Sequence, residues 1–183
     1  MTRNFQGMVK IAVLFAVAVL LAACSTTTSS PRITADNSAM WAMLPINNLS
    51  TTPMAGEQAK SIVESHLRAR GVRNLQNWKD GEELSLVALL DSSAEFKRAV
   101  SWAQDQGVRY GMSGTVHEWH YKSGPDKEPA IGLSLKLFDL TTGQVVWQAS
   151  GARTGWGYSN LSKIAGKVVD DLLDEVKIRR GGR

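Results

Sequence analysis

One thiol, three imidazoles and a pair of adjacent carboxylates are the side chains in this sequence whose types and spacing could do chemistry. The thiol, Cys24, is the only cysteine, so it has no disulfide partner within the chain. The imidazoles are His66, His117 and His120, the last two bracketing Glu118 and Trp119. On a strand, positions three apart face opposite sides, so His117 and His120 are not expected to share a metal ion. Asp170 and Asp171 fall in a helical pattern, where neighbours diverge by about 100°, and are expected to be solvated rather than a catalytic pair. No Gly-x-Ser-x-Gly elbow, phosphate-binding loop or dinucleotide fingerprint occurs, and Gly107 to Gly114 lacks both the third glycine and the following helix. The sequence therefore predicts no catalytic residue, no metal and no cofactor, and leaves Cys24 as the chemically distinctive position.

The residues before Cys24 say what its chemistry would be. Arg3 and Lys10 precede an apolar run from Ile11 to Leu21, followed by Ala22-Ala23. A basic start, a short apolar stretch and small residues describe a secretory signal; the run is shorter than the roughly 20 residues that span a bilayer. Leu21-Ala22-Ala23-Cys24 resembles the lipobox of bacterial lipoproteins, which implies cleavage before Cys24 and a diacylglycerol carried on its thiol, with palmitate among the acyl chains. Two or more acyl chains anchor stably where one does not. Ser25, where an aspartate would signal inner-membrane retention, implies the periplasmic leaflet of the outer membrane.

The expected organisation is a signal peptide over 1–23, the lipidated cysteine and a flexible tether over 24–38, a single α/β domain over 39–178 and a basic disordered tail over 179–183. The tether is rich in serine and threonine and cannot bury a core, while about 140 residues suit one domain. Without the signal, 19 basic residues face 17 acidic ones, a net charge of +2. The basic residues are scattered apart from Lys177, Arg179, Arg180 and Arg183, so no nucleic-acid footprint is present.

Periodicity predicts the elements that must position these residues. Trp41 to Pro45 reads as a strand buried on both faces, Ala55 to Arg70 as a helix with an apolar stripe, and Ala94 to Gln106 as a second helix. Val72 to Leu75 is a candidate short strand, and Gln76 to Ser93 is ambiguous. Val108 to Tyr121, Ile131 to Phe138 and Gln144 to Ser150 read as strands joined by short turns, an antiparallel meander. A final helix, capped by Ser159 or Asn160, runs to about Lys177. The order β-α-β-α-β-β-β-α predicts an α/β sandwich: one mixed, largely antiparallel sheet with helices packed on it.

Six tryptophans occur. Trp41, Trp102, Trp119 and Trp147 lie in regular patterns and are expected to pack. Trp156 lies between Gly155 and Gly157, which offer it no side-chain partners, so its ring is either tucked back or presented outward. A tryptophan ring suits a membrane interface because its body is apolar and its N–H seeks a polar partner. With a lipid anchor at Cys24, an outward Trp156, assisted by Tyr158, would orient the domain on outer-membrane lipid.

Several segments together are similar to one family. Trp41 to Asn48, Ala55-Gly56-Glu57-Gln58-Ala59, Arg68 to Val72, Trp102 to Gly111 and Gly151 to Gly157 resemble the PelC family, lipoproteins of Pel exopolysaccharide export in biofilm formation. The likeness covers nearly all of the domain in register. It implies a fold similar to the TolB N-terminal domain and the CsgG periplasmic domain. It also implies a homo-oligomeric ring of twelve copies beneath the outer-membrane barrel PelB, guiding a partly cationic amino-sugar polysaccharide. By position, Trp156 would insert in the membrane, and Asp126, with Glu128 second, would line an acidic pore. A competing expectation is a monomeric lipoprotein that regulates a periplasmic cell-wall synthase. That role needs a long reach, whereas Ser25 to Ser38 supplies only 14 residues.

Overall fold

The computed structural model describes residues 25–78, 92–124, 127–156 and 159–179. Among the described residues, eight strands and three helices follow in the order β1 (Ser25–Ser29), β2 (Ile33–Asp36), β3 (Trp41–Asn48), α1 (Ala55–Ala69), β4 (Leu75–Asn77), α2 (Ser92–Asp105), β5 (Tyr110–Tyr121), β6 (Pro129–Asp139), β7 (Gln144–Thr154), α3 (Leu161–Leu173) and β8 (Val176–Arg179). Six strands form one sheet in the order β1-β7-β6-β5-β3-β4. The β1–β7, β7–β6 and β6–β5 pairs are antiparallel, and the β5–β3 and β3–β4 pairs are parallel. The fold is the expected mixed α/β sandwich.

Alternation along the strands decides which face the helices cover. Ile131, Leu133, Leu135 and Leu137 of β6 are buried with Met112 and Val116 of β5 and Trp147 of β7, against Val63 and Leu67 of α1 and Val168, Val169 and Leu172 of α3. β3 is buried on both sides, as expected: Trp41 and Met43 join that core, while Ala42 and Leu44 face Ala99 and Ala103 of α2. α1 approaches β3 closely because residue 56 is glycine; a Cβ there would overlap the Ile46 carbonyl oxygen.

Several expectations are corrected. The segment read as a flexible tether is part of the fold. β1 pairs with β7 from Ser25↔Arg153 to Ser29↔Ala149, and β2 pairs in parallel with β8. Between them the Ser30 N–H donates to the Gln148 carbonyl at 2.8 Å, and Arg32 meets Glu175 at 3.0 Å. Beyond β2, the Asn37 N–H donates to the Arg179 carbonyl, and the Trp41 indole N–H to the Asp36 carbonyl, both at 2.9 Å. A serine- and threonine-rich strand buries little apolar surface, but it satisfies the backbone groups along the edge of β7. The last helix ends at Leu173 rather than near Lys177, because Val176–Arg179 pairs with β2. Arg179 is therefore in a strand, and 180–183 lie outside the described residues, as do 79–91 of the ambiguous segment. The short strand after α1 starts at Leu75 and not at Val72.

The β5–β6 register slips between Val116 and Glu118. This bulge turns His117 to the face that Glu118 and His120 share, so the two histidines do not face opposite sides. They still diverge: His117 Nε2 lies 2.7 Å from Ser134 Oγ, and His120 Nε2 lies 3.4 Å from Glu118 Oε1. Among the described residues no cluster of three metal-ligating side chains forms.

Asp170 and Asp171 diverge as expected, but each finds an arginine. Arg70 Nη2, at the end of α1, donates to Asp170 Oδ1 at 2.7 Å and to Asp174 Oδ1 at 3.0 Å, joining the two helices. Arg153 of β7 donates to Asp171 at 2.6 Å. The Arg70 hydrogen bond outweighs the opposing effect of burial and holds the Asp170 carboxyl below the ordinary aspartate range; Thr141 does the same for Asp139.

A carboxyl lowered in the fold stabilises it above the unfolded pKa of about 4 and ceases to do so as pH falls through the lower folded value. Melting temperature is expected to drop below about pH 4, and Asp170→Asn to make that drop shallower in a pH series. Gly56→Ala is expected to lower unfolding free energy by about 1–3 kcal/mol in denaturant titration.

Candidate functional site: a tryptophan at the strand ends

β5 ends at Tyr121, opposite Pro129, the first residue of β6. β7 runs alongside β6 as far as Ala130↔Thr154, and the Gly155 N–H then donates to the Pro129 carbonyl at 2.7 Å. The ends of three adjacent strands thus lie together. Gly155 is buried there, and a Cβ on it would stand 2.6 Å from Pro129 Cγ and 2.9 Å from Ile164 Cδ1. The backbone fills this corner, so the next side chain has no room to fold beneath it.

That side chain is Trp156. It is 76% exposed, against 1% for Trp147 and 0% for Trp41. The open alternative between a tucked and a presented ring is settled: the ring points outward. The loop is pinned on both sides. Arg153 fixes the end of β7 to α3 through Asp171, and the Asn160 carbonyl oxygen of the side chain accepts from the Lys163 N–H at 2.8 Å, capping α3. The Ser159 N–H donates to the Trp156 carbonyl at 3.3 Å. Tyr158 lies outside the described residues, as does Cys24. Ser25, the residue that follows Cys24 in the sequence, lies opposite Arg153 at this same end of the sheet.

Asp126 lies outside the described residues. Glu128 is half-buried at the base of the β5–β6 hairpin; its carboxylate lies 3.7 Å from Lys122 Nζ, so a cation already faces it. Tyr121, 46% exposed beside Pro129, was not singled out from the sequence. Its position at the end of a long strand carried no signal, because exposure there depends on where β6 begins. Trp102 packs as expected, with Trp78 5.5 Å from it between ring centroids. On the face opposite α1 and α3, Ser134 Oγ also contacts Ser150 Oγ at 2.7 Å, extending the His117 contact into a polar row across β5, β6 and β7.

An α/β domain with an outward tryptophan beside its N-terminal strand is the class of protein these features define. A family model described as the peptidoglycan-synthase activator LpoB matches residues 21–152. Crystal structures of the PelC dodecamer from Paraburkholderia phytofirmans, in two crystal forms, are similar at 33% identity, cover 85% of this chain and 99% of theirs, and superpose with TM-scores of 0.73 and 0.72. The chain belongs to the family of the LpoB model and to that of the PelC proteins. A lipoprotein from Neisseria meningitidis shares the fold at 16% identity, with a TM-score of 0.52 over 75% of this chain and 96% of its own. No match is found in a search of curated protein sequences.

Trp156→Ala is expected to leave unfolding free energy within about 0.5 kcal/mol of the native value. Trp147→Ala is expected to cost about 3–5 kcal/mol. Parallel denaturant titrations of the two variants check the contrast.

Proposed function

We propose that this chain is a lipoprotein of the outer membrane, acylated at Cys24, that assembles into a ring and guides an exported Pel-type polysaccharide toward an outer-membrane barrel such as PelB. The observation that carries the reading is the docked N-terminal segment beside an outward Trp156. An anchor at Cys24 leaves the domain no slack, so it lies against the lipid, and an interfacial tryptophan is the side chain suited to meet it. The solved PelC relatives are dodecamers, which supports a homo-oligomer of the same kind here.

A ring around a partly cationic amino-sugar polymer works by many weak acidic contacts, which concentrate the chain without gripping it and weaken with salt. Asp126 and Glu128 are the proposed contributors, and Tyr158 is a proposed second membrane contact. Lys122 offsets Glu128 in the single chain, so the ring must supply the field by repetition. The monomeric synthase regulator is favoured by the description of the family model. It is disfavoured by geometry: even freed, 14 residues would extend only about 50 Å, and here they are held on the domain.

Light scattering of the full-length acylated protein on lipid vesicles and in detergent tests the reading. A mass near twelve copies, with vesicle binding of the unacylated protein reduced several-fold by Trp156→Ala, is expected. A monomer under every condition, indifferent to vesicles and to the substitution, would favour the regulator.

A further inference from the structure

We infer that β1 is a rigid mount, fixing the domain on a lipid bilayer with the ends of β5, β6 and β7 toward the membrane and Tyr121 as a second interfacial aromatic beside Trp156. The inference rests on the membrane attachment and the Trp156 contact proposed above, and adds to them a second contact residue and the element that holds both in place.

The path of the chain carries the argument. Ser25, the residue after Cys24 in the sequence, faces Arg153 at the end of the sheet where β7 stops. Adjacent strands lie about 4.8 Å apart. Trp156 is three residues beyond Arg153, at most about 10 Å along extended chain. The Pro129 carbonyl joins Gly155, and Pro129 itself pairs with Tyr121, so Tyr121 lies two strands from β7 at the same end. From Ser25 to Trp41 the segment is held by β1, the Ser30 hydrogen bond, the Arg32–Glu175 ion pair and β2. A flexible tether would let the domain tumble beneath its anchor; this one does not. Both exposed rings carry a polar tip on an apolar body, the chemistry that favours the boundary between headgroups and acyl chains. The occupant of this face is therefore a bilayer surface. Val145, at 45% as exposed as Tyr121, follows the β6–β7 turn at the opposite end and serves as the control.

Because Cys24 is acylated in the proposed protein, an introduced cysteine offers one free thiol. Full-length acylated Tyr121→Cys, Trp156→Cys and Val145→Cys variants would each be labelled with a fluorophore and placed in vesicles of phosphatidylethanolamine and phosphatidylglycerol with spin-labelled lipid. Quenching several-fold stronger at positions 121 and 156 than at 145 is expected. A ten-residue Gly-Ser insertion between Cys24 and Ser25 is expected to lessen that contrast while leaving the protein bound. Quenching at 156 but not at 121 would overturn the role of Tyr121 and leave membrane attachment standing. Equal quenching at all three positions, or a contrast unchanged by the insertion, would overturn the rigid mount. Quenching at none of them would overturn the mount and the membrane reading together.

Discussion

The pairing of Ser25–Ser29 with the edge of β7 is the constraint on which the rest depends. Without it, β7 would end the sheet with a row of unpaired amides and carbonyls, and the N-terminal segment would be a spacer. With it, the residue that follows Cys24 is fixed opposite Arg153, and Arg153 in turn is held by Asp171 of α3. A strand of serines and threonines thus couples the start of the chain to the loop that presents Trp156.

The presentation of Trp156 is a consequence of packing next to it rather than of anything the ring does. Gly155 lies where no side chain fits, between Pro129 and Ile164. Asn160 starts α3 four residues after Trp156 and limits the loop from the other side. Trp41, Trp119 and Trp147 meet the opposite fate because they alternate onto the helix-covered face. The same residue type is core or surface according to its register in the sheet.

The sequence made the elements legible wherever periodicity was strong: α1, the β5–β6–β7 meander and all but the end of α3 are where the spacing of apolar residues puts them. It was misleading where pairing, not burial, makes structure. Thr26-Thr27-Thr28 has no apolar pattern, and only the presence of the β7 edge tells that it will be a strand. Ile33 to Asp36 and Val176 to Arg179 are 140 residues apart and stabilise each other, so neither was readable alone. The bulge at His117 defeated the rule of alternation because one extra residue changes the face. At the site, the glycines around Trp156 signalled something unusual without giving its direction, and Tyr121 was invisible until the first residue of β6 was known.

Hydrogen–deuterium exchange across residues 25–36 of the full-length acylated protein in vesicles tests the central claim most directly: that this segment belongs to the domain. Backbone bonds in paired strands exchange slowly, and those of an unstructured tether at the rate of a free peptide. The account predicts slowed exchange throughout β1 and β2, comparable with that of β7. Exchange at the free-peptide rate would contradict it, returning the segment to the role of a flexible spacer and removing the reason for Trp156 to be held at the membrane.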